Sequence, residues 1–291
     1  MAAAVGSEQI QTAAEEHCRA GRYAEAIRLY RQLQKRHPSD DSYVLALAWA
    51  YHDNSQIEEA IACFEALLEK ELSRKVFTGF AFDELVRILK RLGRYDRLLQ
   101  ICEKAAAAQP GDYALLWDLG DACLRSGHAD RAIAVYQQMI AMEPEDPLAY
   151  CGLGNAFVAA GEVDEAESAY ERAVAIEPDK AASYYGRLAD QYQQAGRIDR
   201  ALQAVRKGLE HDSANPAYHL MLGDLFIAGG DVREGCRAYE SAADRRPTSA
   251  GAYYFRLGNT LFKALFHEAA VGAFRKAIGV EPQNPLFLRN L

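Results

Sequence analysis

The chain is poor in the features that mark several large function classes. It has no run near the ~18 uninterrupted apolar residues that a spanning helix needs, and residues 1–6 carry neither a basic nor an apolar leader region. The sequence therefore predicts no signal peptide, no membrane insertion and a cytoplasmic setting. It lacks an excess of positive charge: 33 basic residues stand against 41 acidic ones, a net charge of −8. A dedicated nucleic-acid binder normally shows a basic domain, so no nucleic acid is expected as partner. Its six cysteines, 18, 63, 102, 123, 151 and 236, form no CxxC pair and no regular framework. The seven histidines include no HExxH pair and no His–Cys metal spacing. GxSxG is missing, and Gly152-Leu153-Gly154 cannot open a dinucleotide loop because Phe157 fills the last glycine position. No catalytic residue, metal site or cofactor is expected.

What the chain has is a period. Gly21, Gly93, Gly127, Gly161, Gly196 and Gly230, with Ser55 between the first two, are separated by 34, 38, 34, 34, 35 and 34 residues. Pro38, Pro110, Pro144, Pro178, Pro247 and Pro282 keep the same beat. Five places after the glycine a small residue recurs at Ala26, Ala60, Ala132, Ala166, Ala201, Gly235 and Ala270. Four places further stands a large one, at Tyr30, Phe64, Tyr136, Tyr170, Tyr239 and Phe274. Length alone suggests about two domains; the period replaces them with a row of small, similar cores.

Each unit predicts two helices. In the fifth, Tyr150, Leu153, Gly154 and Phe157 share one face of a first helix. Gly161 ends it in the left-handed conformation that glycine adopts without steric penalty. Asp164 and Glu165 open a second helix, where the helix dipole favours negative charge. Small Ala166 lets the two helices approach, Tyr170 fills the space beyond, and Pro178 closes the unit. No strand-like alternation occurs, so the fold is expected to be all-α.

Leu119-Gly120, Ala132, Tyr136 and Pro144, then Tyr150, Leu153-Gly154, Phe157, Ala166, Tyr170 and Pro178, resemble the tetratricopeptide repeat pattern. The resemblance divides the chain into an extension at 1–6, eight repeats at 7–40, 41–74, 79–112, 113–146, 147–180, 182–215, 216–249 and 251–284, and the start of a terminal helix at 285–291. Weak units have Leu98 and Cys102 at the small and aromatic places, Ser213 for proline, and Leu265 for glycine. Lys75 to Thr78 are inserted after a strongly helix-forming stretch, either lengthening a helix and loop or bending the array.

Resemblance to this family implies an α-solenoid, a right-handed superhelix of antiparallel helix pairs, with first helices lining a concave groove that binds a partner's peptide or helix. Transferred by position, the candidate groove residues are Trp117, Asp118 and Asp121, then Asn155, then Arg187 and Asp190. Leu220, Asp224, Phe255, Arg256, Asn259 and Phe262 complete them. Asp121, Asn155, Asp190, Asp224 and Asn259 form a ladder that either holds a ligand's backbone amides or is simply frequent in the family. Trp117, Leu220, Phe255 and Phe262 are apolar candidates for anchoring side chains. The family's clamp for C-terminal carboxylates is not expected, because Ser183 and Ala252 stand where Arg187 and Arg256 would need basic neighbours. Residues 113–180 hold 13 acidic against 4 basic residues, whereas 250–291 hold 2 against 5. With Asp118 and Asp121 facing the groove, its middle is expected to favour a basic or amine-bearing ligand.

The expected function is a non-enzymatic scaffold or adaptor for another protein. Two alternatives stand beside it: a regulatory repeat region of a longer enzyme such as a glycosyltransferase, and a self-assembling module. The apolar segment 285–291 either covers the last repeat, pairs with another copy, or marks a truncated end.

Overall fold

A computed structural model describes residues 2–289, and every described element is helical. The chain divides into two compact units, Met1–Ser126 and Gly127–Leu291. The first holds α1 (Ala2–Arg19), α2 (Tyr23–Arg36), α3 (Asp41–Asp53), α4 (Ile57–Arg74), α5 (Phe80–Leu92), α6 (Tyr95–Ala108) and α7 (Tyr113–Arg125). In the second, α8 (Ala129–Met142), α9 (Pro147–Ala160), α10 (Val163–Ile176), α11 (Ala181–Gln194) and α12 (Ile198–His211) come first. They are followed by α13 (Pro216–Ala228), α14 (Val232–Arg245), α15 (Ala250–Lys263), α16 (His267–Val280) and the short α17 (Pro285–Leu288). Residues 2–6 lie inside α1. Each unit is an all-α solenoid of successive helix pairs, its second helix packing on the first and on the first helix of the next pair.

The turn inside a pair follows from the periodic glycine. At Gly161, φ is +89°. Its N–H donates to the Val158 carbonyl at 3.1 Å and the Glu162 N–H to that of Phe157 at 2.9 Å, which satisfies the last carbonyls of the helix. Ser55 (φ 61°) and Leu265 (φ 67°) adopt the same left-handed turn without being glycine. The geometry of the pair, not the residue, imposes it. A left-handed L-residue costs about 1–2 kcal/mol, and the Leu265 side chain recovers little because it is 75 % exposed. Leu265→Gly is expected to stabilise the second unit by about 1 kcal/mol, after subtracting glycine's greater entropy in the unfolded chain. A thermal melt should show its transition about 2–4 °C higher.

Entry into α3, α7, α9, α13 and α17 is set by an Asx side chain. Asp40, Asp112, Asp146, Asn215 and Asn284 accept from a backbone N–H two residues on, at 2.8–3.1 Å. Where Lys180 and Ser249 replace the Asx residue, the preceding residues, Pro178–Lys180 and Pro247–Ser249, wind into 3-10 turns. The inserted Lys75 to Thr78 follow an α4 of 18 residues, one turn longer than the 14 of α2 and α6. Glu71 pins the loop by accepting from the Thr78 N–H at 3.1 Å and its hydroxyl at 2.6 Å.

Packing within a pair depends on close approach at glycine. A methyl on Gly154 would lie 2.6 Å from the Tyr170 ring, and one on Gly223 would lie 2.4 Å from that of Tyr239. Tyr170 and Tyr239 are fully buried. Neighbouring second helices are joined on the outer side by ion pairs with one polarity. Glu69 of α4 meets Lys104 of α6 at 2.6 Å, Glu171 of α10 meets Lys207 of α12 at 3.1 Å, and Glu240 of α14 meets Lys276 of α16 at 2.6 Å. In these three pairs the acid is on the earlier helix.

Candidate functional site

In the second unit, α11, α13 and α15 place polar side chains at matching register, so Asp190, Asp224 and Asn259 recur at intervals of 34 and 35 residues. Around the last two lies a cavity of about 660 Å³ lined by Gln193, Asp224, Phe255, Arg256, Asn259 and Lys263, with Ile227 and Ala228 forming part of its apolar wall. Three successive first helices thus contribute to one concave site. Four of the candidate residues meet there: Asp224, Phe255, Arg256 and Asn259.

Asp224 is the most heavily used of them. It accepts from the hydroxyls of Tyr239 at 2.5 Å and Thr260 at 3.1 Å, and it pairs with the Arg256 guanidinium. Burial, and then the Asp224 charge, hold the Tyr239 hydroxyl well above its usual pKa, so it remains a donor. Asn155 does the same work in α9, accepting from the buried Tyr170 hydroxyl at 2.6 Å. These two members of the Asx ladder serve the core of their own helix pair.

Asp190 and Asn259 do not. The aromatic hydroxyl that would reach them is absent, because Val205 and Phe274 stand where Tyr170 and Tyr239 stand in the other pairs. Neither has a hydrogen-bond partner among the described residues, and desolvation raises the Asp190 carboxyl above the usual carboxylate range. These four members of the ladder are therefore of two kinds, with the difference decided on the second helix.

In the first unit, Asp118 and Asp121 do come together on α7, and they hold the chain's own amine. Lys90 of α5 lies 3.1 Å from Asp118 and 2.9 Å from Asp121, and Arg125 lies 3.0 Å from Asp121. These two carboxylates thus already have a cation on them. Trp117 is half-buried on the same helix.

The other candidates are dispersed. Leu220 is not on the groove: it is 7 % exposed in the core with Leu257 and Leu261, because its register turns it beneath the cavity wall. Phe255 reaches the cavity, but its ring stacks on Phe287 of α17 at 5.0 Å and lies 5.7 Å from Phe274. Phe287 is buried, so this part of the terminal segment covers the last pair. Phe262 is 58 % exposed, beside the His267 ring and away from the cavity lining. Arg187 is exposed on α11. Gln193 and Thr260 in the cavity and Lys90 in the first unit stand outside the candidate set. Lys90 lies in the third repeat, whose Leu98 and Cys102 depart from the repeat pattern.

Burial pushes the Cys102 and Cys151 thiols up to about 12, which keeps them protonated and inert as nucleophiles. Among the described residues no group of His, Cys, Asp and Glu is arranged to hold a metal ion, and no helix is long and apolar enough to cross a membrane.

Three family profiles, each described as tetratricopeptide repeat, match the chain: one at residues 12–73, 84–147 and 118–182, one at 157–225 and one at 217–249. No curated protein matches it. Among solved structures, a tetratricopeptide repeat protein from Parabacteroides merdae ATCC 43184 is 14 % identical with a TM-score of 0.51, covering 82 % of this chain and 93 % of its own. A thermophilic repeat protein from Thermus thermophilus is 24 % identical, with a TM-score of 0.43 and coverage of 62 % and 96 %. MamA is 22 % identical, with a TM-score of 0.41 and coverage of 57 % and 91 %.

Proposed function

Because the chain belongs to the tetratricopeptide repeat family, we propose that it is a non-enzymatic interaction scaffold whose groove on the second unit holds an extended segment of another protein. The observation that carries this reading is the cavity built from α11, α13 and α15, some of whose polar groups have no hydrogen-bond partner among the described residues. Asn259, Gln193 and Lys263 line it without a hydrogen-bond partner among the described residues. An amide such as Asn259 can both donate to and accept from a peptide backbone, at about 0.5–1.5 kcal/mol net per bond. Asp224 and Arg256 neutralise each other, so Lys263 leaves the site with a positive bias. Arg187 and Asp190 on α11 extend the polar row beyond the cavity. On the first unit, Lys90 supplies the ammonium that Asp118 and Asp121 take, so a basic ligand there has to displace it.

The test is affinity capture from cells, comparing the wild type with an Asn259→Ala, Lys263→Glu double variant. Neither side chain supports the core, so the melting temperature of the variant is expected to stay within about 1 °C of wild type. A partner recovered with the wild type should fall at least about tenfold with the variant. Equal recovery with both proteins would refute the groove as the binding site.

A further inference from the structure

A second surface, away from the concave groove, has its own shape and charge. On α9 and α10, Tyr150, Leu153, Phe157 and Ala169 form the floor of a cleft of about 350 Å³. Asp164, Glu165 and Arg172 stand around it. Asp164 and Glu165 are exposed and have no ion pair among the described residues.

The cleft is open for a reason visible in its neighbours. Lys207 lies over the Tyr185 ring at 5.7 Å, and Lys276 over that of Tyr254 at 5.6 Å. In both cases a glutamate of the preceding second helix, Glu171 or Glu240, grips the ammonium and draws the outer seam shut. Arg172 lies over Tyr150 in the same way, at 5.8 Å. At the register of Glu171 and Glu240, however, α8 carries Gln137. Arg172 forms no ion pair among the described residues, and the apolar floor beneath it stays accessible.

We propose that this cleft docks a segment of a partner protein that presents a large apolar side chain beside a lysine or arginine. The apolar side chain fills the floor formed by Tyr150, Leu153 and Phe157. The adjoining cation meets Asp164 and Glu165, whose two charges exceed the one on Arg172. Asp164 and Glu165 are thus the part of the acid surplus in residues 113–180 left without an ion pair among the described residues, while Asp118 and Asp121 are occupied by Lys90. This surface is independent of the groove proposed above.

The test uses three fluorescein-labelled Gly/Ser peptides of about twelve residues, centred on Phe-Lys-Leu-Arg, Phe-Glu-Leu-Glu or Gly-Lys-Gly-Arg, with binding followed by fluorescence anisotropy. The first is expected to bind with a Kd at least about tenfold lower than either of the others. Its affinity should fall at least about fivefold with Asp164→Asn, Glu165→Gln, and as salt rises from about 0.05 to 0.3 M. Ser168→Trp, which plugs the mouth, should weaken it at least about tenfold, and Gln137→Glu, which gives Arg172 its missing partner, should weaken it as well. The Asn259→Ala, Lys263→Glu variant should bind it as the wild type does. If the peptide responds to that groove variant and not to the cleft variants, the groove takes it and the cleft proposal falls while the scaffold reading stands. Equal binding of the three peptides, or none, overturns the cleft proposal. So does a dimer of the chain that Ser168→Trp dissociates, because the occupant is then a second copy.

Discussion

Gly223→Ala should lower the stability of the second unit by about 3 kcal/mol. The added methyl would lie 2.4 Å from Cδ2 of Tyr239 and 3.2 Å from the Gly235 carbonyl. Neither neighbour can retreat easily. Tyr239 is fully buried and its hydroxyl is fixed on Asp224, while Gly235 belongs to the backbone of the crossing helix. A methyl on Gly235 would in turn lie 2.6 Å from Ile227, so the contact is tight from both sides. Overpacking of this kind costs about 1–3 kcal/mol and more where backbone must shift. Gly272→Ala is the control. That glycine is helical, exposed, and has nothing within 4 Å of its added carbon, so alanine should stabilise by about 0.5–1 kcal/mol. Thermal or urea melts of the two variants should move in opposite directions. Similar losses in both would mean that glycine's role here is not close approach.

Asp224→Ala should cost about 2 kcal/mol, most of it from the Tyr239 hydroxyl left buried without its acceptor. Arg256 adds less, because its side chain is half exposed and solvent screens the pair. Asp224→Asn keeps an oxygen for Tyr239 and should lose under about 1 kcal/mol. Asp190 should behave in the opposite sense. Its folded pKa is raised by desolvation, so the charged form is disfavoured by folding at neutral pH. Asp190→Asn is expected to be slightly stabilising at pH 7. That gain shrinks as the pH falls through the raised folded value and is gone below the ordinary aspartate value near about 3.9. Denaturant melts of both variants across that range test whether the ladder is of two kinds. Equal losses at Asp190 and Asp224 would show that it is not.

Much of the fold is legible in the chain because its causes are local. A glycine every 34 or 35 residues marks a left-handed turn, and Ala166 beside Tyr170 marks where two helices touch. Ser55 and Leu265 take that turn without the expected residue type, since the packing of the pair leaves the backbone no other path. The candidate site is less legible because its outcome depends on neighbours one repeat away. Asp118 and Asp121 look like open carboxylates until α5 brings Lys90 between them. Leu220 looks like a groove anchor until α15 packs over it with Leu257 and Leu261. Asn155 and Asn259 look equivalent, yet Tyr170 occupies the one and Phe274 leaves the other to solvent. Here the signal was present, fifteen residues downstream in each case, in whether the aromatic residue carries a hydroxyl.

The one-way polarity of the outer ion pairs also bears on how such a chain can grow. An acid on the earlier second helix meets a base on the later one at the α4/α6, α10/α12 and α14/α16 seams. A repeat carrying both halves, copied in tandem by duplication of its coding segment, would arrive with a base for the helix before it and an acid for the helix after it. Gene duplication at such a seam would therefore extend the array without creating a clash of like charges. Shuffling that placed two acid-bearing second helices side by side without their basic counterparts would not.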